Sequence, residues 1–253
     1  MTDNKFMDKP HLNGDDIFWQ GNQVGVLLIH GFTATTAEVR LMAEKLHSAG
    51  LTIAAPLLPG HGTHPDDLNR ATWPMWLQKV KETYEQLLKD YQKVFVLGTS
   101  MGALLSLELA AQHPEIAGLM LFSPALKVES LWLAPLIAPF KAYLNKEPKD
   151  PNLAWKGYTV YPLKGAAQLY QLQKHVKSIL PKIDQPMLVF SGVNDTRISN
   201  EAIAPLLTRV NSVEKQHIQM QNSGHFVMLE DDLDEAYKLT LNFIANHSSF
   251  SLE

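Results

Sequence analysis

The chain has 253 residues, 45% of them hydrophobic, which is enough to bury a large core, and α/β chains of this length commonly form one domain. Its net charge of −4 comes without a basic stripe, which argues against a nucleic-acid partner. There is no cysteine, so disulfides and a thiol nucleophile are excluded. No apolar run reaches membrane-spanning length, and residues 1–16 lack the basic and apolar parts of a secretory leader. The expectation is therefore a soluble, cytoplasmic protein without stable membrane insertion.

In chain order, Phe18-Trp19 reads as a short edge strand, and 24–29 (VGVLLI) as a central strand emptying into His30-Gly31-Phe32-Thr33. A helix follows from about Thr36, with Gly50 as its stop signal. A second buried strand at 51–56 ends in the turn-rich loop Pro59-Gly60-His61-Gly62-Thr63-His64. Residues 73–91 form an amphipathic helix with Trp76, Val80, Tyr84 and either Leu87 or Leu88 on one face. The apolar run 94–97 leads through Gly98-Thr99-Ser100-Met101-Gly102 into another helix, and 117–122 is a further strand.

This alternation predicts an α/β fold, with right-handed crossovers, a mostly parallel central sheet and helices on both faces. The rhythm breaks after Pro124 and resumes with a strand at 186–191, a helix at 200–210, a strand at 214–220 and a terminal helix from about 229 to 247. The expected organisation is a core domain of residues 1–124 and 183–253, with 125–182 inserted as a small cap.

The chemistry centres on Ser100. In a G-x-S-x-G placed between strand and helix, the serine is forced into a strained turn that lifts its hydroxyl clear, and glycines two residues either side leave room for it. The helix N-terminus then directs free N–H groups at that hydroxyl. The pattern also arises by chance, so the rest of the chain must supply a base, an acid and an oxyanion hole. Two strand ends after the insertion supply the acid and the base, one carrying Asp195 in Gly192-Val193-Asn194-Asp195 and the other His225 in Ser223-Gly224-His225. An imidazole can take the serine proton and return it to the leaving group, and a carboxylate fixes its tautomer. The oxyanion hole is expected at the backbone N–H groups of Phe32 and Met101, with Gly31 allowing close approach.

Other residues have plainer readings. His30 can be read as a base, but a histidine beside the oxyanion loop more often holds that loop by hydrogen bonds, and this is the expectation. His61 and His64 lack a third ligand at a defined spacing, so no metal is expected. His113, His175, His217 and His247 read as solvated, Glu38, Arg40 and Lys45 as an exposed helix face, and Trp73 and Trp76 as core, with a pocket wall as the alternative for either tryptophan. Leu131, Leu136, Ile137 and Phe140 lie in an apolar stretch twice interrupted by proline, either packing as core or walling a substrate pocket.

Taken together, HGFT at 30–33, GHGTH at 60–64, GTSMG at 98–102, Asp195 and SGH at 223–225 resemble the α/β-hydrolase superfamily, and within it the small bacterial carboxylesterases and monoacylglycerol lipases with a minimal cap. The resemblance implies the α/β-hydrolase fold, Ser100, Asp195 and His225 as the triad, and Phe32 and Met101 as oxyanion donors. It implies ester hydrolysis through an acyl-enzyme, without a cofactor, on a small-molecule substrate. A cap of under sixty residues has room for one acyl chain, so short- to medium-chain monoesters and monoacylglycerols are the expected substrates, and a monomer or weak homodimer is the expected state. The segment Thr196-Arg197-Ile198-Ser199 departs from the family's pattern of apolar residues and proline after the acid. An acyl thioesterase would want basic residues at the mouth, where Lys141, Lys146 and Lys149 are offset by Glu147 and Asp150. A receptor that keeps the triad with little turnover is the remaining alternative.

Overall fold

The computed structural model describes residues 5–147, 150–248 and 250; Lys149 lies outside them. The chain opens with two short strands, β1 (Met7–Asp8) and β2 (Ile17–Trp19), and then enters the central sheet with β3 (Val24–Ile29). Helix α1 (Ala37–Ser48) stops two residues before Gly50, whose φ of +94° suits glycine. There follow β4 (Thr52–Ala55), α2 (Pro65–Arg70), α3 (Trp73–Asp90), β5 (Lys93–Thr99), α4 (Met101–Gln112) and β6 (Gly118–Phe122). Between β6 and the next sheet strand lie α5 (Ala134–Ile137), β7 (Tyr143–Asn145), β8 (Gly157–Tyr158), β9 (Val160–Pro162) and α6 (Leu163–Ile179). The chain closes with β10 (Met187–Gly192), α7 (Ile203–Arg209), β11 (Lys215–Met220) and α8 (Leu233–Asn246).

Seven strands form the main sheet in the order β11-β10-β6-β5-β3-β4-β2, parallel except for the edge strand β2. Side chains alternate across it as a pleated strand requires. Val26 and Leu28 point to the face covered by α1 and α8, where they meet Met42, Leu46, Phe243 and Ile244. Leu27 and Ile29 point to the opposite face and pack with Tyr84, Leu104 and Leu172 of α3, α4 and α6. Burial on both faces is why these strands read as unbroken apolar runs.

The register brings the carboxyl ends of the strands to one rim. Ile29 pairs with Gly98, Thr99 with Phe122, Phe122 with Phe190, and Gly192 with Met220. Loops leaving β3, β5, β10 and β11 therefore open on the same edge, where α/β sheets bind ligands.

The segment between β6 and β10 crosses this rim. It contributes two small antiparallel pairs, β7 with β9 and β8 with β1, and bridges the core at Ala34–Gly157 and Val128–Ile198. The loop at 59–64 is followed by the short helix α2, which was not singled out from the sequence. Its start was hidden because the cap is a histidine: His64 Nδ1 accepts the Asp66 N–H at 3.2 Å, while Asp67 accepts the His64 N–H. Histidine is a rare cap, and the usual residue types give no warning of it.

Candidate active site

Ser100 stands between β5 and α4 at φ +54°, ψ −111°, a conformation that L residues adopt only under constraint. The surrounding glycines explain how it is reached. A Cβ on Gly98 would lie 2.4 Å from the Gly102 carbonyl, and one on Gly102 would lie 2.1 Å from the Ile29 carbonyl oxygen. Ser100 is only half-buried and lines a cavity of about 90 Å³ at the rim.

His225 lines the same cavity. Its Nδ1 lies 2.8 Å from Asp195 Oδ2, and both side chains are buried, at 9% and 1% exposure. The other carboxylate oxygen accepts the N–H groups of Arg197 and Ile198 at 2.8 and 3.0 Å. Burial raises the Asp195 pKa, but His225 and those two N–H groups outweigh it and hold the carboxyl below its usual range. The structure thus brings Ser100 and His225 to one cavity, with Asp195 behind the imidazole. An imidazole held in this way can pass a proton between a serine hydroxyl and a leaving group.

The β3 loop passes beside Ser100. His30 Nδ1 lies 2.9 Å from the Gly31 carbonyl, while its Nε2 accepts the Leu58 N–H at 3.1 Å, which makes Nδ1 the protonated nitrogen. Because the peptide is planar and trans, holding the Gly31 carbonyl also sets the direction of the Phe32 N–H. Phe32 lines the cavity, and Met101, wholly buried, opens α4 with a first-turn N–H that has no intrahelical partner.

Glu38 corrects the expected exposed face. It is buried, accepts the Gly31 N–H at 2.6 Å and the Trp155 Nε1–H at 3.2 Å, and lines the cavity. Lys45 of the same helix does sit near the surface, paired with Asp234 at 2.6 Å, and Arg40 stacks over Trp19. The four histidines read as solvated are likewise all engaged. His175 pairs with Glu108 at 2.8 Å and stacks on Trp73, His113 pairs with Glu115 at 2.9 Å, His217 meets Ser191 at 2.8 Å, and His247 meets Glu214 at 3.0 Å. Each partner is distant in sequence or on another element, except Glu115, so periodicity had no signal for it. His61 packs its ring against His30, Phe32 and Trp76, and His64 caps α2. Among the described residues no cluster of three or more His, Asp or Glu could hold a metal ion.

An apolar cavity of about 390 Å³ adjoins the first and shares Phe32, Val128, Tyr161, Leu169 and Arg197 with it. Leu131 and Ile137 line it, with Leu133 and Ala134. Leu136 and Phe140 do not: they are 60% and 90% exposed on the outer side of α5 and the turn after it. Helix α5 is a single turn with pocket on one side and solvent on the other, so neighbouring apolar residues diverge. Arg197 stacks at 4.8 Å over Phe226, the residue after His225, at the junction of the two cavities. Tyr161, Val128, Leu169 and Trp155 were not singled out from the sequence, where an apolar residue that walls a pocket looks the same as one that packs in a core.

A mostly parallel sheet with a strained serine, a histidine and a buried aspartate delivered to one rim defines an α/β hydrolase. The family described as serine aminopeptidase, S33, matches residues 21–153, more than half of the chain, and the chain belongs to that family. The chain is 32% identical to a thermostable monoacylglycerol lipase of Bacillus sp. (strain H-257), over 94% of this chain and 98% of that protein. It is 26% identical to a carboxylesterase of Bacillus subtilis (strain 168), over 89% and 94%. A solved structure from the metagenome-derived lipolytic enzymes LipS and LipT superposes with a TM-score of 0.88 at 28% identity, covering 92% of this chain and 98% of that one.

Proposed function

We propose that the chain, an ester-hydrolysing serine hydrolase, cleaves short- and medium-chain monoesters and monoacylglycerols through an acyl-enzyme on Ser100. In this reading His225 Nε2 takes the Ser100 proton as Oγ attacks the ester carbonyl. Negative charge on the carbonyl oxygen is met by the Phe32 and Met101 N–H groups. His225 then protonates the departing alkoxide, the C–O bond breaks, and an acyl-serine remains. Water, deprotonated by the same imidazole, attacks the acyl carbon, and the carboxylic acid leaves as Ser100 regains its proton. Asp195 holds the imidazole tautomer and stabilises its charged form throughout.

The observation that carries the proposal is the buried His225–Asp195 pair in one cavity with Ser100, with an apolar pocket opening beside it. That pocket suits one aliphatic acyl chain. Residues 125–182 act as the cap that closes over it. The similarity to a monoacylglycerol lipase and a carboxylesterase over most of the chain supports the ester reading. An aminopeptidase would need a carboxylate free to hold a substrate ammonium group, whereas Glu38 in the cavity wall is already engaged by Gly31 and Trp155. We take the protein to be cytoplasmic and a monomer or weak homodimer; among the described residues no helix is long and apolar enough to cross a membrane.

Ser100→Ala should remove activity on a p-nitrophenyl ester by on the order of 10⁶-fold while leaving the protein folded. Mass spectrometry after treatment with an organophosphorus inhibitor should find the adduct on Ser100. An adduct on Ser123 or Ser191, or a fully active Ser100→Ala, would overturn the proposal.

A further inference from the structure

The oxyanion loop is gripped on both sides of Phe32, and part of the grip comes from across the rim. On one side, Gly31 N–H donates to Glu38, which also accepts from Trp155. On the other, Thr33 sits at φ +66°, and its carbonyl accepts the Tyr158 N–H at 2.9 Å. The Thr33 hydroxyl donates to the Phe32 carbonyl and accepts a hydrogen bond from Lys146 Nζ. Lys146 Nζ also donates to the Tyr158 carbonyl at 2.8 Å and lies 5.1 and 4.7 Å from the ring centroids of Trp155 and Tyr161. Lys146, Trp155 and Tyr158 all belong to the segment between β6 and β10.

We propose that Lys146 is a positioning residue for ester hydrolysis, acting through Thr33 to hold the Phe32 N–H in the oxyanion hole. A hydroxyl has one proton to give. With Lys146 donating to a Thr33 lone pair, that proton is directed to the Phe32 carbonyl, which pins the 32–33 peptide. The Phe32 N–H belongs to the preceding 31–32 peptide, held by His30 at the Gly31 carbonyl, so pinning both peptides that flank the Phe32 Cα fixes the aim of its N–H. Without Lys146 the hydroxyl is free to rotate, and φ +66° at a β-branched residue loses a restraint. The inserted segment thereby forms part of the oxyanion apparatus as well as covering it. This rests on the reading of Phe32 as an oxyanion donor.

The test is a double-mutant cycle with Lys146→Met, which keeps an unbranched apolar stem against the two rings, and Thr33→Val, which keeps the shape and removes the hydroxyl. Each single variant should lower kcat on a p-nitrophenyl ester about 10- to 100-fold, below the roughly 10²–10³-fold loss seen when an oxyanion donor is removed outright. KM should stay within about threefold, because the interaction matters only once charge develops on oxygen. Affinity for a trifluoromethyl ketone of matching chain length should fall in parallel with kcat/KM. The double variant should be no worse than the weaker single, and Lys146→Arg should recover part of the loss. Unchanged kcat in Lys146→Met, a loss confined to KM, or losses that multiply in the double variant would each overturn the proposal. If Lys146→Met does not fold, Thr33→Val decides by the same kcat and inhibitor readouts. Ser100→Ala run alongside separates the two readings: its inactivity beside a fully active Lys146→Met removes only the positioning role.

Discussion

Gly192 at the end of β10 lies so close to Gly224 that a Cβ on Gly192 would stand 2.0 Å from the Gly224 carbonyl oxygen and 2.4 Å from that of Ser223. This contact lets the two loops converge, since Asp195 follows one glycine and His225 the other. The Asn194 N–H donates to the Ser223 carbonyl at 3.1 Å and locks the approach. Glu230 and Asp232 hold the histidine loop from behind, accepting the Gly224 N–H at 2.6 Å and the Asn222 N–H at 2.8 Å.

Gly192→Ala should therefore damage activity through geometry alone. The obstacle is backbone, which cannot rotate away, so the loops must part. A displacement near 1 Å at a reacting group costs on the order of 10²-fold in rate. Steady-state kinetics should show that loss mainly in kcat, with the Ser100 hydroxyl still labelled, more slowly, by the organophosphorus reagent. Wild-type kcat in this variant would show that the close contact is not needed.

Asp195→Asn should lower kcat by on the order of 10⁴-fold by permitting the wrong histidine tautomer. Asp184→Asn serves as the contrast, because Asp184 is exposed and precedes β10, at the far end of the sheet. It should retain nearly full activity. Reversed outcomes for the two variants would reassign the acid.

Stability should fall as the pH drops below about 6.5. Burial holds the His30 imidazole below that value, and burial together with neighbouring His30 holds His61 well below it. In that window the unfolded chain takes up protons that the folded chain refuses, so lowering the pH favours unfolding. His61 Nε2 has no hydrogen-bond partner among the described residues, which makes this ring a clean target. His61→Leu should lose less melting temperature between pH 7 and pH 5 than the parent. An identical pH profile for both proteins would place the dependence elsewhere.

Chain-length preference should respond to the side of α5 that faces the pocket. Each methylene buried there is worth about 0.8 kcal/mol, or roughly fourfold in kcat/KM per carbon until the pocket is full. Ala134→Trp should shorten the preferred acyl chain, and Ile137→Asp should weaken C8 esters far more than acetate. Leu136→Asp, on the outer side, should leave both soluble esters unchanged. A larger C8 defect in Leu136→Asp than in Ile137→Asp would show that the pocket lies on the other side of the helix.

Much of the fold was legible in the sequence because its signals are local. Strands buried on both faces must be apolar throughout, helices covering them must carry a stripe, and the turn at Ser100 demands glycine on both sides. From those rules came the sheet, the break after Pro124, and the arrival of Ser100, Asp195 and His225 at strand ends on one rim. What a residue does there depends on what packs across from it, and only the tertiary structure decided that. Glu38 has the spacing of a surface residue, yet Gly31 and Trp155, 117 positions away from it, make it a buried acceptor. His175 reads as solvated until Glu108 stands opposite on another helix. Leu136 and Ile137 are adjacent and chemically alike, and a single turn of helix sends one to solvent and the other to the pocket. Lys146 meets Thr33 across 113 residues, a distance that no local pattern can span.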